Sequence, residues 1–261
     1  MPRAAVVGRP IGHSLSPRLH RAAYAALDLP DWAYDAVDCD ESEFPRLLEQ
    51  DWAGLSVTMP CKRIALTAAD SASELASAVG AANTVVRRDG WFAHNTDVAG
   101  IVGALAEVGV HSGAGAVVLG AGGTAQAVLA ALREMGEPEP IVLVRNPART
   151  GQLAETAERL GVRPRIRGGL DDPVLYAAPL VIATLPKFAA DSLARADAWS
   201  PDGVLFDVIY DPWPTKLAES ARAAGRTVVS GLSMLLHQAT GQVELMTGRV
   251  APLSAMRAAL P

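Results

Sequence analysis

Cysteine is scarce. Cys39 and Cys61 are the only two in 261 residues, and without a CxxC pair they exclude both a disulfide framework and a thiolate metal site. The histidines His13, His20, His94, His111 and His237 include no pair at the spacing of a helical zinc site, so no metal is expected. Positive charge is also short. Lys and Arg number 23 against 28 Asp and Glu, a net charge of -5, which disfavours nucleic acid as the main partner but leaves room for a local basic pocket. No apolar run approaches the ~18 residues of a membrane span. The first seven residues are too short for a secretory signal core, and the expected compartment is the cytoplasm. Aromatic residues make up only 5% of the chain, whereas alanine and glycine are frequent. Small side chains let helices lie close on a sheet, which favours an α/β class.

The length suits one large domain or two modest ones. Apolar runs that read as strands alternate with helical patterns. Strands are expected at residues 4–8, 31–37, 52–58, 83–87, 90–94, 116–119, 140–144, 179–184, 203–207 and 226–230. Helices are expected at 17–27, 41–50, 62–69, 71–79, 98–108, 123–135, 149–160, 232–246 and 251–260, the first with Ser16 as cap and Pro17 opening the first turn. Residues 83–94 read as a hairpin turning at Arg88–Gly90. The alternation predicts mostly parallel sheets, and a second unit begins near residue 100.

One turn carries a ligand signature. Gly120, Ala121, Gly122, Gly123, Thr124 and Ala125 follow a strand and open a helix, the setting of a dinucleotide fingerprint. Gly120 allows the tight turn, Gly122 lets backbone approach a pyrophosphate, and the helix N-terminus offers free N–H groups to phosphates. The next strand ends in Val144, Arg145, Asn146 and, further on, Arg149, with no acidic residue for a ribose 2′-hydroxyl. Arginine suits a 2′-phosphate instead, so the expected cofactor is NADP. A glycine-rich turn with no ligand and two solvated arginines is the bland alternative.

In the first unit, polar residues gather where strands end. Ser14 and Ser16 follow the first strand, and Ser56, Thr58 and Lys62 occupy the end of another and the loop after it. Asn83, Thr84, Asn95, Thr96 and Asp97 add amides, hydroxyls and one carboxylate. Ligands of open α/β sheets bind outside the carboxyl ends of strands. Each segment alone reads as a cap or turn. Together they suggest a hydroxyl-binding pocket with a single lysine and a single aspartate. Reducing a ketone places a hydride on carbon and a proton on oxygen, and an ammonium beside that oxygen can stabilise the charge and give the proton. A structural ion pair is the competing reading of Lys62 and Asp97.

The motifs GRPIGHSLSPRLH (8–20), SVTMPCK (56–62), GAANTV (80–85), HNTD (94–97), GAGGTA (120–125), DVIYDP (207–212) and SGLSMLLHQ (230–238) make the chain resemble the shikimate dehydrogenase family over nearly its whole length. The resemblance implies an N-terminal substrate domain, residues 1–99, closed by C-terminal helices in 232–261. It also implies an inserted Rossmann NADP-binding domain, residues 100–231, with substrate in the cleft between. It implies Ser14 and Ser16 on the substrate carboxylate, with Thr58, Asn83, Tyr210 and Gln238 around the ring and its hydroxyls. Lys62 and Asp97 are then the catalytic pair. Gly120–Thr124, Arg145, Asn146, Arg149, Val208 and Gly231 lie along the cofactor. The implied activity is reversible, NADPH-dependent reduction of 3-dehydroshikimate, by a monomer or homodimer. Alternatives are a quinate/shikimate or amino-shikimate dehydrogenase, or a silent NADP-binding relative. Ser56 stands where the family commonly has Asn, Val144 where it has Asn in the strand-end motif, and Val98 where Gly is common.

Overall fold

A computed structural model describes all of residues 1–261. The N-terminal part runs β1 (Arg3–Gly8), α1 (Ser16–Ala26), β2 (Ala33–Asp38), α2 (Phe44–Leu48), β3 (Gly54–Val57), α3 (Lys62–Thr67), β4 (Ser71–Ala72), α4 (Glu74–Val79), β5 (Thr84–Arg87), β6 (Trp91–His94) and α5 (Asp97–Ala106). Next come β7 (Val117–Leu119), α6 (Gly123–Glu134), β8 (Ile141–Val144), α7 (Gly151–Leu160), β9 (Arg165–Gly168), α8 (Pro173–Ala177), β10 (Leu180–Ala183), β11 (Val204–Asp207), α9 (Lys216–Ala223) and β12 (Thr227–Ser230). The chain ends with α10 (Gly231–Thr247) and α11 (Leu253–Ala258). It divides into two compact units, residues 1–100 with 235–261, and residues 101–234.

The sheet of the first unit has the order β2-β1-β3-β5-β6-β4. β1 pairs parallel with β2 and β3, whereas β3–β5 and β5–β6 are antiparallel, the latter forming the expected hairpin. The pairing Ser56–Thr84–His94 brings the end of β3, the start of β5 and the end of β6 to one edge, beside the end of β1. The strands are short and apolar because both faces are covered: Ala4 to Val7 are all buried. One face packs Val7, Phe44, Trp52, Leu55, Val85 and Trp91; the other packs Val6, Tyr24, Tyr34, Val86 and Met246. Gly8 is required where β1 meets the loop after β3, since a Cβ there would lie 2.5 Å from Thr58 Cγ2 and 2.6 Å from the Met59 carbonyl oxygen.

The second unit is an all-parallel sheet of order β12-β11-β10-β7-β8-β9. Numbered from β7, this is the doubly wound 3-2-1-4-5-6 arrangement, whose order reverses between β7 and β10. Its core joins Val117, Leu119, Leu143, Val181, Ala183 and Leu205 to helix residues such as Leu175 and Leu217.

Three local expectations need correcting. Ser16 is not the cap of α1: it is the first helical residue, Leu15 stands at the cap, and no side chain caps the turn. Residues 71–79 are not one helix. Ser71 and Ala72 pair with Phe92 and Ala93, and the helix starts afterwards because Ser73 Oγ accepts the Ala76 N–H at 3.1 Å. The helix expected at 149–160 begins only at Gly151, because Arg149 closes a 3-10 turn, Pro147–Arg149, that Asn146 caps.

Candidate active site

The edge of the first sheet places Lys62 at the first residue of α3 and Asp97 at the first residue of α5. A carboxylate at a helix N-terminus is favoured by the helix dipole and an ammonium there is not, so Lys62 needs its partner. Lys62 Nζ donates to Asp97 Oδ2 at 2.6 Å, with side-chain exposures of 16% and 5%. That pair is well removed from water but not sealed. Nζ carries three N–H bonds and only one goes to Asp97, so two remain to meet a ligand oxygen.

The backbone around Asp97 is fixed by amides. Asn95 Oδ1 accepts the Asp97 N–H at 2.9 Å while its Nδ2 donates to the Ala81 carbonyl at 2.9 Å. Asn83 Oδ1 accepts the Thr96 N–H at 2.7 Å. Since a backbone N–H can only donate, this contact fixes which end of the Asn83 amide is oxygen. Nδ2 therefore faces Asp97 Oδ1 and Thr96 Oγ1, both at 2.9 Å, and Gln238 Oε1 at 2.8 Å, three acceptors sharing two N–H bonds.

Gln242 extends the same logic. Its Nε2 donates to the Asn83 carbonyl at 3.1 Å, an obligate acceptor, and to Gln238 Oε1 at 3.2 Å. Two donors thus converge on Gln238 Oε1, which leaves the Gln238 Nε2 hydrogens for a ligand. Gln242 Oε1 accepts from Ser56 Oγ at 2.8 Å and faces His20 Nε2 at 3.3 Å, and Tyr34 donates to Ser56 Oγ at 2.6 Å. His20 stacks on Tyr34 with ring centroids 3.9 Å apart. Burial holds the His20 imidazole down at about 3, so it is neutral and carries its proton on Nε2. Burial also pushes the Tyr34 phenol well above its ordinary range.

The structure thus brings Lys62, Asn83, Asp97 and Gln238 into one hydrogen-bonded set. Ser14 and Ser16 lie together after β1, with the Ser16 N–H donating to Ser14 Oγ at 3.3 Å, and Thr58 is half-buried just after β3. Ser56, whose role the sequence left open, is consumed by Tyr34 and Gln242 within the buried network. Sequence reasoning passed over Gln242, Tyr34 and His20. The signal for Gln242 was available: it stands four residues after Gln238 on a helix, and so on the same face.

In the second unit the turn after β7 sits at the point where the sheet order reverses. Gly120 has φ +105°, and a Cβ there would lie 2.7 Å from Thr184 Oγ1, so both backbone and space demand glycine. Gly122 caps α6 without a side chain, and a Cβ on Gly122 or Gly123 would meet nothing within 4 Å. The first N–H groups of α6 are therefore open to an anion. Ala125 is fully buried, in keeping with a small packing residue in this position. Arg145 and Arg149 are exposed after β8, and no carboxylate pairs with either. Asn146 spends its Oδ1 on the Ala148 N–H at 3.0 Å, leaving its Nδ2 for any ligand contact. Uncapped helix, bare glycine backbone and two unpaired guanidinium groups fit a dinucleotide with an extra phosphate. Tyr210 is half-buried in the loop after β11, with its phenol pushed up by burial and by the neighbouring Asp211. Gly231 opens α10 against the Val208 carbonyl oxygen, which a Cβ would approach to 2.0 Å. Asp207 anchors this loop, accepting from Thr215 Oγ1 at 2.7 Å and the Ile209 N–H at 3.2 Å.

Known proteins resemble this chain over nearly its whole length. Residues 6–85 match the family model of the shikimate dehydrogenase substrate binding domain, and residues 231–260 that of the shikimate 5'-dehydrogenase C-terminal domain. The chain is 39% identical over 264 residues to a shikimate dehydrogenase (NADP(+)) of Halobacterium salinarum, covering 98% of this chain and 97% of that one. It is 35% identical over 266 residues to the enzyme of the same name from Moorella thermoacetica, covering 97% and 90%. Among solved structures, shikimate dehydrogenase of Mycobacterium tuberculosis superposes with a TM-score of 0.90 at 43% identity, over 99% of this chain and 98% of that one. The Thermus thermophilus shikimate 5-dehydrogenase in complex with NADP(H) and shikimate superposes with a TM-score of 0.86 at 33% identity, over the full length of both chains.

Proposed function

Because this chain belongs to the shikimate dehydrogenase family, we propose that Lys62 and Asp97 are the catalytic pair through which it interconverts 3-dehydroshikimate and shikimate with NADP(H). The observation that carries this reading is the 2.6 Å contact between Lys62 Nζ and Asp97 Oδ2, made where only 16% and 5% of the two side chains reach solvent. In a setting so poor in water, an ammionium–carboxylate pair acts on a nearby oxygen far more strongly than it would on the surface.

Bound NADPH supplies the hydride to the ring carbonyl carbon. The remaining chemistry belongs to the side chains of the first unit. The free N–H bonds of Lys62 polarise the carbonyl oxygen, stabilise its developing charge and deliver the proton that completes the alcohol. Asp97 orients Lys62 and shares its proton, and Asn83 holds the second Asp97 oxygen in place at 2.9 Å. The free Gln238 amide N–H bonds and Thr58 bind the ring and its hydroxyls, joined by one Asn83 N–H bond that a ligand oxygen takes over from Thr96 or Gln238, and the hydroxyls of Ser14 and Ser16 take the carboxylate. In the second unit, the turn at Gly120–Thr124 cradles the pyrophosphate, and Arg145, Asn146 and Arg149 hold the 2′-phosphate end. Val208 and Gly231 line the nicotinamide.

Mixing the protein with shikimate and NADP+ should raise absorbance at the reduced-nicotinamide band, with slower turnover on quinate or on NAD+. A protein that binds both ligands without any absorbance change is a silent relative, and the assignment fails.

A further inference from the structure

Two non-glycine residues have backbone in the left-handed region: Asp28, φ +53°, and Phe188, φ +67°. Asp28 is ordinary, because aspartate tolerates this conformation and the residue lies in the turn that ends α1. Phe188 is not, since an aromatic side chain there is an outlier. Burial does not compensate for it, because Phe188 is 68% exposed.

Its place in the fold gives the strain a meaning. Phe188 lies in the loop 184–190, directly after β10, and β10 adjoins β7 at the reversal of strand order. The start of this loop packs under the glycine turn: Thr184 Oγ1 and Leu185 Cδ2 would lie 2.7 and 3.3 Å from a Cβ on Gly120. Lys187, next to Phe188, ties the loop to the one after β11 through Asp211 at 3.0 Å. Phe188 also lines a shallow cleft with Pro186, Asp191, Ile209 and Thr215, again joining these two loops. An exposed ring is therefore held out, at a conformational cost, among the strand ends that present ligand-binding groups.

The strand order says which part of a ligand it meets. Arg145 follows β8 on one side of β7, and Phe188 follows β10 on the other. With the pyrophosphate on the turn after β7 and the 2′-phosphate at Arg145, the remaining half of the dinucleotide extends toward β10. We propose that Phe188 is a cofactor-binding residue that packs its ring on the nicotinamide–ribose half of NADP. This rests on the cofactor assignment made above.

The test is calorimetric titration of wild type, Phe188→Ala, Phe188→Gly and Phe188→Tyr with NADP+ and with adenosine 2′,5′-bisphosphate, which lacks the nicotinamide half, alongside thermal melting. The Ala and Gly variants should bind NADP+ about five- to tenfold more weakly and the adenosine bisphosphate as wild type, as expected for the loss of one aromatic contact. Phe188→Tyr keeps the ring and should bind both as wild type. Phe188→Gly should melt no lower than wild type, because glycine accepts the backbone without strain. Unchanged NADP+ affinity in the Ala and Gly variants overturns the proposal, and so does equal weakening of both ligands together with a lowered melting temperature. If wild type itself binds neither ligand, the cofactor assignment falls first and this inference with it.

Discussion

The two units hold their polar groups in opposite ways. In the first, Lys62, Asp97, Asn83, Gln238 and Gln242 are largely withdrawn from solvent and satisfy one another, so the amide orientations follow from contacts with backbone groups. In the second, Gly122 and Gly123 of the turn are open to water, as are Arg145 and Arg149, and neither arginine engages a partner of the opposite charge. A buried network is preorganised and costly to disturb, because each orphaned group pays its full desolvation. An open anion site is adaptable, individually weak and screened by salt. Damage to the first unit's network should thus be large and insensitive to salt, and damage to the second's cradle modest and salt-sensitive.

The sharpest way to break the comparison is Lys62→Ala. It removes the proton donor and leaves Asp97 buried without its cation. Turnover should fall about 10³-fold, within the range for loss of a general acid, while the shikimate KM moves little because the hydroxyl-binding groups remain. Steady-state kinetics check this, and turnover near wild type would reduce the pair to a structural ion pair.

Acid is the next probe, since it acts on the buried network through His20. The folded protein keeps this imidazole neutral down to about pH 3, whereas in an unfolded chain it gains its proton below about 6.5. Between these values the unfolded chain binds a proton that the folded one refuses, so stability is complete above about pH 6.5 and is lost as pH falls toward 3. The loss near pH 5 should be about 2 kcal/mol. Urea unfolding at pH 7 and pH 5, compared with the non-titrating His20→Asn, measures it; equal pH slopes in the two proteins would mean that His20 is not held neutral.

The contrast between the units also bears on what the sequence could disclose. Lys62, Asp97 and the turn at Gly120 were legible because each lies in a short motif at a strand end, where few residue types do the work. Ten of the twelve strands were legible, mostly as apolar runs. β9 was not, because Arg165–Gly168 carries a single apolar residue, Ile166, on an exposed edge. α9 escaped because its buried face is Leu217, Ala218, Ser220 and Ala221, too small and mixed to print a clear periodicity. The Ser71–Ala72 strand was hidden by helix-compatible residues, and only pairing with β6 draws it out. The links from Tyr34 to Ser56 and from Ser56 to Gln242 span 22 and 186 residues of sequence, so no local pattern could announce them.

The smallest expected effect falls on the open site, and its salt dependence makes it the more informative. Arg145→Ala removes one exposed guanidinium, and solvent and ions already screen the charge that is lost. The ratio of kcat/KM with NADP to that with NAD should drop about tenfold, equivalent to ~1.4 kcal/mol and near the lower end for a hydrogen bond to a charged group. Raising ionic strength from about 0.05 to 0.5 M shortens the screening length severalfold. The wild-type preference for NADP should therefore weaken with salt, and that of the variant should hardly change. Lys62, with its partner 2.6 Å away and little water around it, should give the same deficit at both salt concentrations. If the two substitutions respond to salt alike, the two sites do not differ as a buried, preformed network and an open cradle; a cofactor ratio untouched by Arg145→Ala would move the 2′-phosphate contact to Arg149 or elsewhere.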